Sequence, residues 1–144
     1  MMSKTKKMEN IPDTVLKAWK QALQAQKNSY APYSKFYVGA ALKWNKVDKI
    51  FAGCNYENAS FGATICAERS AIAHGISLKG AKKIEFMVIV AFTEKPTVPC
   101  GLCLQVMSEF TTKQTLIYLG NEKKILKKFH FHELLPVNFN TLFD

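Results

Sequence analysis

The segment ATICAERSA, residues 63–71, places a thiol and a carboxylate close together in a run of small residues. Cys66 and Glu68 lie two positions apart, whereas neighbours on one helix face are three or four apart. Further along, TVPCGLCLQ contributes a Cys-x-x-Cys pair, Cys100 and Cys103. In a chain that keeps its thiols reduced, such a pair is typical of a metal or redox site. The pattern therefore indicates metal or redox chemistry with a carboxylate at hand.

Three thiols are the number of ligands that a catalytic zinc ion needs. Catalytic zinc takes three protein ligands and leaves the fourth position to water, whereas structural zinc usually takes four protein ligands. Cys66, Cys100 and Cys103 match the first arrangement. The fourth cysteine, Cys54, could complete a structural four-cysteine site, so the cysteine count leaves both types of site open.

Both cysteine segments are predicted to lie where a loop or strand meets a helix. If Cys66 stands at the start of its helix, before regular geometry begins, Glu68 can reach back to the open side of the metal. Helix N-termini stabilise thiolates, so two helix ends at one point would help to hold three negative ligands. Zinc with three thiolates carries one net negative charge, which Arg69 would offset.

The apolar patterning predicts the elements that must position these residues. An amphipathic helix is predicted at residues 11–30, with Asp13 as its N-cap. The cysteine segments become helices at residues 64–77 and within 99–110, and a short helix is predicted at residues 133–139. Apolar or alternating runs predict five strands, at residues 36–44, 49–55, 84–92, 115–120 and 124–131.

The order of these elements predicts an α/β fold, a three-layer α/β/α sandwich with a mixed five-stranded sheet. The first two strands form a hairpin across the turn-rich residues 45–48. The last two strands are separated only by residues 121–123, whereas a parallel pair needs a crossover of a dozen or more residues. We therefore expect the last two strands to be antiparallel.

Four motifs resemble, in the same order, the small zinc-dependent cytidine deaminases of the homotetrameric type. They are APYSKFYVGAAL, GCNYENASFGATICAERSAI, PCGLCLQVMSEF and ELLPVNF. The Cys-x-Glu and Pro-Cys-x-x-Cys elements match the zinc deaminase signature, in which a non-ligand glutamate is the general acid and base. The resemblance implies one zinc ion per chain, a cytidine deaminase-like fold, and pyrimidine salvage through hydrolytic deamination of free cytidine or deoxycytidine to uridine or deoxyuridine and ammonia.

The resemblance also implies roles for the residues around the metal. Glu68 would move protons between the attacking water and the pyrimidine, and Arg69 would donate hydrogen bonds to the ligand thiolates. The family motif usually has arginine at the position of Leu104, so charge compensation here would depend more on Arg69. The implied zinc ligands are Cys66, Cys100 and Cys103.

Substrate contacts follow from the same resemblance. Asn55 and Glu57 match residues that bind the ribose 3′-hydroxyl, and Phe36 matches the aromatic residue that packs on the pyrimidine. The backbone of Ala67 would contact the base. A 3′-hydroxyl contact favours a free nucleoside as the substrate, because the 3′ oxygen of a polymer is esterified and cannot donate a hydrogen bond.

Composition and charge argue against membrane, secreted and nucleic-acid-binding classes of protein. The 144 residues, 48% of them hydrophobic, suit a single domain spanning 1–144, with residues 1–10 as a basic tail. No apolar run approaches the roughly 20 residues that span a bilayer, and the N-terminus lacks the apolar region of a secretory signal. We therefore expect a cytoplasmic protein without a membrane partner. The net charge of +9 comes from lysines spread along the chain, which argues against a nucleic-acid partner.

Two alternatives stand beside deamination of a free nucleoside. A deaminase of the same fold could act on a nucleoside antibiotic or on a base within RNA. A protein of a different class, a basic nucleic-acid-binding module, could hold structural zinc with all four cysteines. Release of ammonia from cytidine would separate these alternatives from the main hypothesis.

The C-terminal stretch FHFHELLPVNFNTLF, residues 129–143, is unusually apolar for a chain end. A small domain has too little interior for all these side chains, and large exposed apolar patches mark interfaces. Closed point-group symmetry is the usual way of covering such patches. With the resemblance, this predicts a homotetramer in which Tyr33 contacts another subunit and Phe139 enters a neighbouring site.

Overall fold

A computed structural model describes residues 10–142, so most of the predicted basic tail and Phe143 lie outside the described residues. The chain forms an α/β fold, as the patterning predicts. The helices are α1 (Asp13–Gln26), α2 (Ala67–Lys79), α3 (Gly101–Ser108) and α4 (Phe131–Leu134), with 3-10 turns at Phe61–Ala63 and Phe139–Leu142. The strands are β1 (Val38–Trp44), β2 (Ile50–Cys54), β3 (Ile84–Ala91), β4 (Leu116–Gly120) and β5 (Ile125–His130).

The five strands form one mixed sheet in the order β2-β1-β3-β4-β5. Strands β1 and β2 form the predicted antiparallel hairpin, and β1 is also antiparallel to β3. Strands β3 and β4 are parallel, with α3 in the connection between them. The antiparallel pairing of β4 with β5 confirms the expectation drawn from their short connection.

Helices cover both faces of the sheet, which confirms the three-layer α/β/α sandwich. On one face, α1 buries Val15, Ala18 and Ala22 against apolar side chains of β1, β3 and β4. On the other face, α2 and α3 pack over a larger core that includes Trp44 and Phe51. Strand β3 lies at the centre and is buried along nearly its whole length, which explains its continuous apolar sequence. Within residues 10–142, no helix is both long enough and apolar enough to cross a bilayer.

Two details of the predicted elements are wrong. Asp13 is the first residue of α1 rather than its N-cap, because the extended backbone of Pro12 already occupies the capping position. The Asp13 carboxylate instead lies in the first turn, where the helix dipole favours it. The short helix predicted at residues 133–139 is displaced: α4 begins at Phe131, and the chain after it leaves the helical conformation at Leu135, before Pro136.

Candidate active site

The N-termini of α2 and α3 lie close together and carry the cysteines. Cys66 is the N-cap of α2, with φ −73° and ψ 157°, which confirms that it precedes regular helical geometry. Cys100 is the N-cap of α3, with φ −70° and ψ 165°, and Cys103 lies within the first turn of the same helix. The extended capping conformation turns the chain sharply into each helix. As a result, thiols that are distant in sequence approach one another at two positive helix ends.

The sulfur atoms of Cys66, Cys100 and Cys103 all lie within 4.8 Å of one another. The Sγ atoms of Cys66 and Cys100 are 3.9 Å apart. Zinc–sulfur bonds of about 2.3 Å in a tetrahedral site would separate two sulfur atoms by about 3.8 Å, so the three thiols suit zinc in size and in chemistry. Among residues 10–142, this group of possible metal ligands does not include Cys54, which ends β2. The thiols therefore form a three-cysteine group that does not include the fourth cysteine.

Arg69 stabilises negative charge on the thiol group. Its Nη2 donates to Sγ of Cys66 at 3.8 Å and to the carbonyl oxygen of Thr64 at 3.1 Å. A hydrogen bond from Cys103, with further help from Arg69, lowers the pKa of Cys66 to about 5. The same hydrogen bond to Cys66, together with burial, raises the pKa of Cys103. Cys66 therefore ionises more readily than Cys103, and the thiolate is the form that binds metal.

Glu68 lies in the first turn of α2 and is only 5% exposed. Its Oε2 lies 3.8 Å from Sγ of Cys103, which places the carboxyl group beside the thiols. Burial raises the pKa of Glu68 to about 7. A carboxyl group with a pKa near neutral can both accept and donate a proton, which is what general acid–base chemistry requires.

Leu104 follows Cys103 and is 9% exposed within the core beneath α2 and α3. The position at which the family motif usually has arginine is therefore filled here by apolar packing. Among the side chains described, Arg69 is the cation in contact with the thiol group.

A second group of polar side chains holds the loop between α1 and β1. The Glu57 carboxylate accepts hydrogen bonds from the backbone N–H groups of Tyr33 and Ser34 at 3.0 and 3.1 Å. The hydroxyl of Ser34 donates to the second oxygen of Glu57 at 2.5 Å. The hydrogen bond from the Ser34 side chain is the main cause that lowers the pKa of Glu57, so its carboxylate stays ionised.

Asn55 is buried, and both the oxygen and the nitrogen of its side-chain amide form hydrogen bonds with the backbone at the end of the same loop. Its Oδ1 accepts from the backbone N–H of Val38 at 2.9 Å, and its Nδ2 donates to the carbonyl oxygen of Phe36 at 2.8 Å. The structure therefore brings Asn55 and Glu57, which follow β2, to the loop that carries Phe36. Each amide end of Asn55 keeps one further hydrogen-bonding position.

The remaining predicted substrate residues lie in three places. Phe36 is 42% exposed, and the ring of Tyr33 meets that of Phe61 edge-on, with centroids 5.8 Å apart. Ala67 is fully buried between Cys66 and Glu68 at the start of α2. Phe139 is 63% exposed in the C-terminal segment, and its backbone N–H donates to Oε1 of Gln105 on α3 at 3.3 Å.

Two residues with well-defined contacts were given no role on sequence alone, namely Ser34 and Gln105. Gln105 also donates to Oδ1 of Asn140 at 2.9 Å, while Asn140 donates to Ser108 at 3.0 Å. The C-terminal segment is thereby tied to the helix that carries Cys100 and Cys103. Ser34 lies in APYSKFYVGAAL and Gln105 in PCGLCLQVMSEF. Their polar side chains within these motifs are the sequence feature that could have indicated a role.

The chain matches the family model described as the cytidine and deoxycytidylate deaminase zinc-binding region over residues 13–119. It is 43% identical over 122 residues to the cytidine deaminase of Halalkalibacterium halodurans, covering 85% of this chain and 91% of that protein. It is 38% identical over 115 residues to the cytidine deaminase of Mycoplasma pneumoniae, covering 79% and 85% of the two chains.

Solved structures agree with these sequence relatives. The crystal structure of cytidine deaminase from Burkholderia pseudomallei superposes with a TM-score of 0.80 at 35% identity, covering 90% of this chain and all 100% of that one. The enzyme from Mycobacterium tuberculosis gives a TM-score of 0.75 at 31% identity, covering 90% and 98%. With the three-thiol group and the adjacent carboxyl, these matches show that the chain belongs to the cytidine and deoxycytidylate deaminase family, whose matched region binds zinc.

Proposed function

We propose that this protein hydrolyses free cytidine and deoxycytidine to uridine and deoxyuridine, releasing ammonia. The observation that carries the proposal is the group of three thiols within 4.8 Å of one another, with the buried Glu68 carboxyl beside Cys103. This arrangement combines a metal site that leaves one position open with a group suited to proton transfer. The relatives named as cytidine deaminases support the choice of substrate.

In this proposal, Cys66, Cys100 and Cys103 hold one zinc ion, and Arg69 stabilises their negative charge. When bound, zinc lowers the pKa of a coordinated water molecule toward neutrality and so makes it a better nucleophile. Cys54 does not belong to the thiol group, which favours a catalytic rather than a structural role for the other three cysteines.

Glu68 performs both proton transfers. Its carboxylate removes a proton from the attacking water and delivers it to N3 of the pyrimidine while the water oxygen bonds to C4. It then carries the remaining hydroxyl proton to the amino group on C4. The C4–N bond breaks, ammonia leaves, and C4 keeps the oxygen as a carbonyl. Burial of Glu68 excludes bulk water from these transfers.

The loop held by Asn55 and Glu57 favours a nucleoside over a free base or a polymer. An ionised carboxylate accepts a hydrogen bond but cannot donate one, so Glu57 suits a sugar hydroxyl that donates. In a polynucleotide the 3′ oxygen has no proton to donate. The preference for a free 3′-hydroxyl argues against the alternative in which the substrate is a base within RNA.

We also propose a homotetramer located in the cytoplasm. Several large apolar side chains are exposed on the single chain, which supports burial between subunits. The most exposed are Phe61 at 75%, Leu102 at 69%, Val137 at 78% and Phe139 at 63%. Three ligand thiols need a reducing compartment to stay free of disulfides, which supports the cytoplasm.

A panel of free nucleosides tests the proposed function. Loss of the cytosine absorbance band is followed for cytidine, deoxycytidine, free cytosine and a cytosine-containing oligonucleotide. We expect rapid loss with the two nucleosides, and little or none with cytosine or the oligonucleotide. Turnover of the oligonucleotide alone would support the RNA-directed alternative and contradict the proposal.

A further inference from the structure

The hydroxyl of Ser34 joins two chain segments that the proposed function assigns to the substrate, the loop before β1 and the segment after β2. It donates to Oε2 of Glu57 and accepts from the backbone N–H of Phe36 at 3.0 Å. Ser34 therefore contacts the residue assigned to the sugar and the backbone of the residue assigned to the base. Because Ser34 itself is exposed, its side chain contributes little to the core.

Ser34 leaves one hydrogen-bonding position of the Glu57 carboxylate available. A carboxylate offers about four lone-pair positions, two on each oxygen. Oε1 already accepts from the backbone N–H groups of Tyr33 and Ser34, so both of its positions are used. Oε2 accepts one hydrogen bond, from the Ser34 hydroxyl, and keeps a single position for a further donor.

The backbone around Ser34 makes this arrangement costly to form without its hydrogen bonds. Lys35, between Ser34 and Phe36, has φ 58°, a left-handed conformation that disfavours residues with a Cβ atom. Its backbone N–H donates to the carbonyl oxygen of Ala31 at 3.0 Å. The Ser34–Phe36 hydrogen bond spans Lys35 and helps to hold this turn in place.

We infer that Ser34 is a positioning residue for recognition of the substrate sugar, an inference that rests on the proposed function. By holding Oε2, it leaves one acceptor position of Glu57 for the 3′-hydroxyl. Without the Ser34 hydroxyl, Glu57 keeps its charge and the two backbone hydrogen bonds to Oε1, but Oε2 loses the donor that holds it. Discrimination between substrates with and without a 3′-hydroxyl should then decrease.

Steady-state kinetics with cytidine and 3′-deoxycytidine test this role. For Ser34→Ala we expect kcat/KM for cytidine to fall about 10- to 100-fold, as for loss of a hydrogen bond to a charged group, chiefly through KM. The value for 3′-deoxycytidine should stay within about threefold of wild type. Ser34→Thr keeps the hydroxyl and should restore most of the discrimination. Ser77→Ala is the matched control, because the Ser77 hydroxyl donates to Ala73 within its own exposed helical turn.

Carboxyl NMR titration of Glu57 supplies a readout that does not depend on turnover. In wild type the pKa of Glu57 lies below its usual value, and Ser34→Ala should raise it toward that value. An equal loss with both nucleosides, or an unchanged Glu57 titration, would overturn the positioning role. Wild-type protein that does not deaminate cytidine would overturn the proposed function and the sugar assignment, while the titration would still decide whether Ser34 controls Glu57.

Discussion

Replacing Gly53 by alanine should push β2 away from α2, the helix that carries Cys66 at its N-terminus and Glu68 in its first turn. Gly53 lies in β2, and a Cβ atom there would stand 2.5 Å from the backbone nitrogen of Ala71 and 2.7 Å from the carbonyl carbon of Ser70. Both atoms belong to the backbone of α2, which cannot rotate away as a side chain can. The same helix begins at Cys66 and carries Glu68.

The size of the effect follows from the contact distance. Ordinary van der Waals contact begins near 3.4 Å, so β2 and α2 must move apart by about 0.9 Å to accept the methyl group. Overpacking of this kind costs about 1–3 kcal/mol of unfolding free energy. A displacement of about 1 Å in a catalytic group can lower the rate about 100-fold. We therefore expect Gly53→Ala to lose both stability and kcat/KM for cytidine.

Chemical denaturation, kcat/KM for cytidine and zinc content, measured on one preparation, test this expectation. Gly62→Ala is the stability control, because a Cβ atom at Gly62 meets nothing within 4 Å. A Gly53→Ala variant with wild-type stability and wild-type kcat/KM would refute the claim that close packing of β2 on α2 sets the position of Glu68. A variant that loses stability but keeps its rate would refute the link between that packing and catalysis.

Three further predictions concern the metal, the proton carrier and the chain end. Glu68→Gln should keep zinc but lose about 10²–10⁴-fold in kcat, because glutamine cannot carry protons; near-normal kcat would contradict the mechanism. Cys54→Ala should retain zinc in metal analysis whereas Cys100→Ala loses it, and equal loss would indicate a four-cysteine site. Truncation before Leu134 removes Phe139 but no thiol, and should reduce activity together with assembly measured by light scattering; a fully active monomer would refute shared active sites.

The metal end of the site could be predicted from sequence because it depends on local geometry. Each of the two helices begins at a cysteine, and α3 carries a second cysteine three positions further on. Once the two helix ends lie together, these positions bring the three thiols close to one another. The antiparallel pairing of β4 with β5 could also be predicted, because a three-residue connection is too short for a parallel crossover. The absence of Cys54 from the thiol group could not be predicted, because it depends on where β2 ends relative to α2.

The loop contacts could not be predicted because they join residues far apart in sequence. Ser34 and Glu57 are separated by 23 positions, and their hydrogen bonds exist only after the hairpin has closed against the loop. The displaced C-terminal helix has a local cause that apolar patterning does not reveal. The Glu133 carboxylate accepts from the backbone N–H of His130 at 2.7 Å, and this capping interaction starts α4 at Phe131.

Deamination of cytidine in ¹⁸O-labelled water tests the central claim most directly. The purified protein is incubated with cytidine, the uridine is analysed by mass spectrometry, and ammonia is measured in the same sample. Hydrolytic deamination predicts one labelled oxygen at C4 of each uridine and one ammonia for each uridine formed. Absence of uridine, or uridine without the label at C4, would contradict the account.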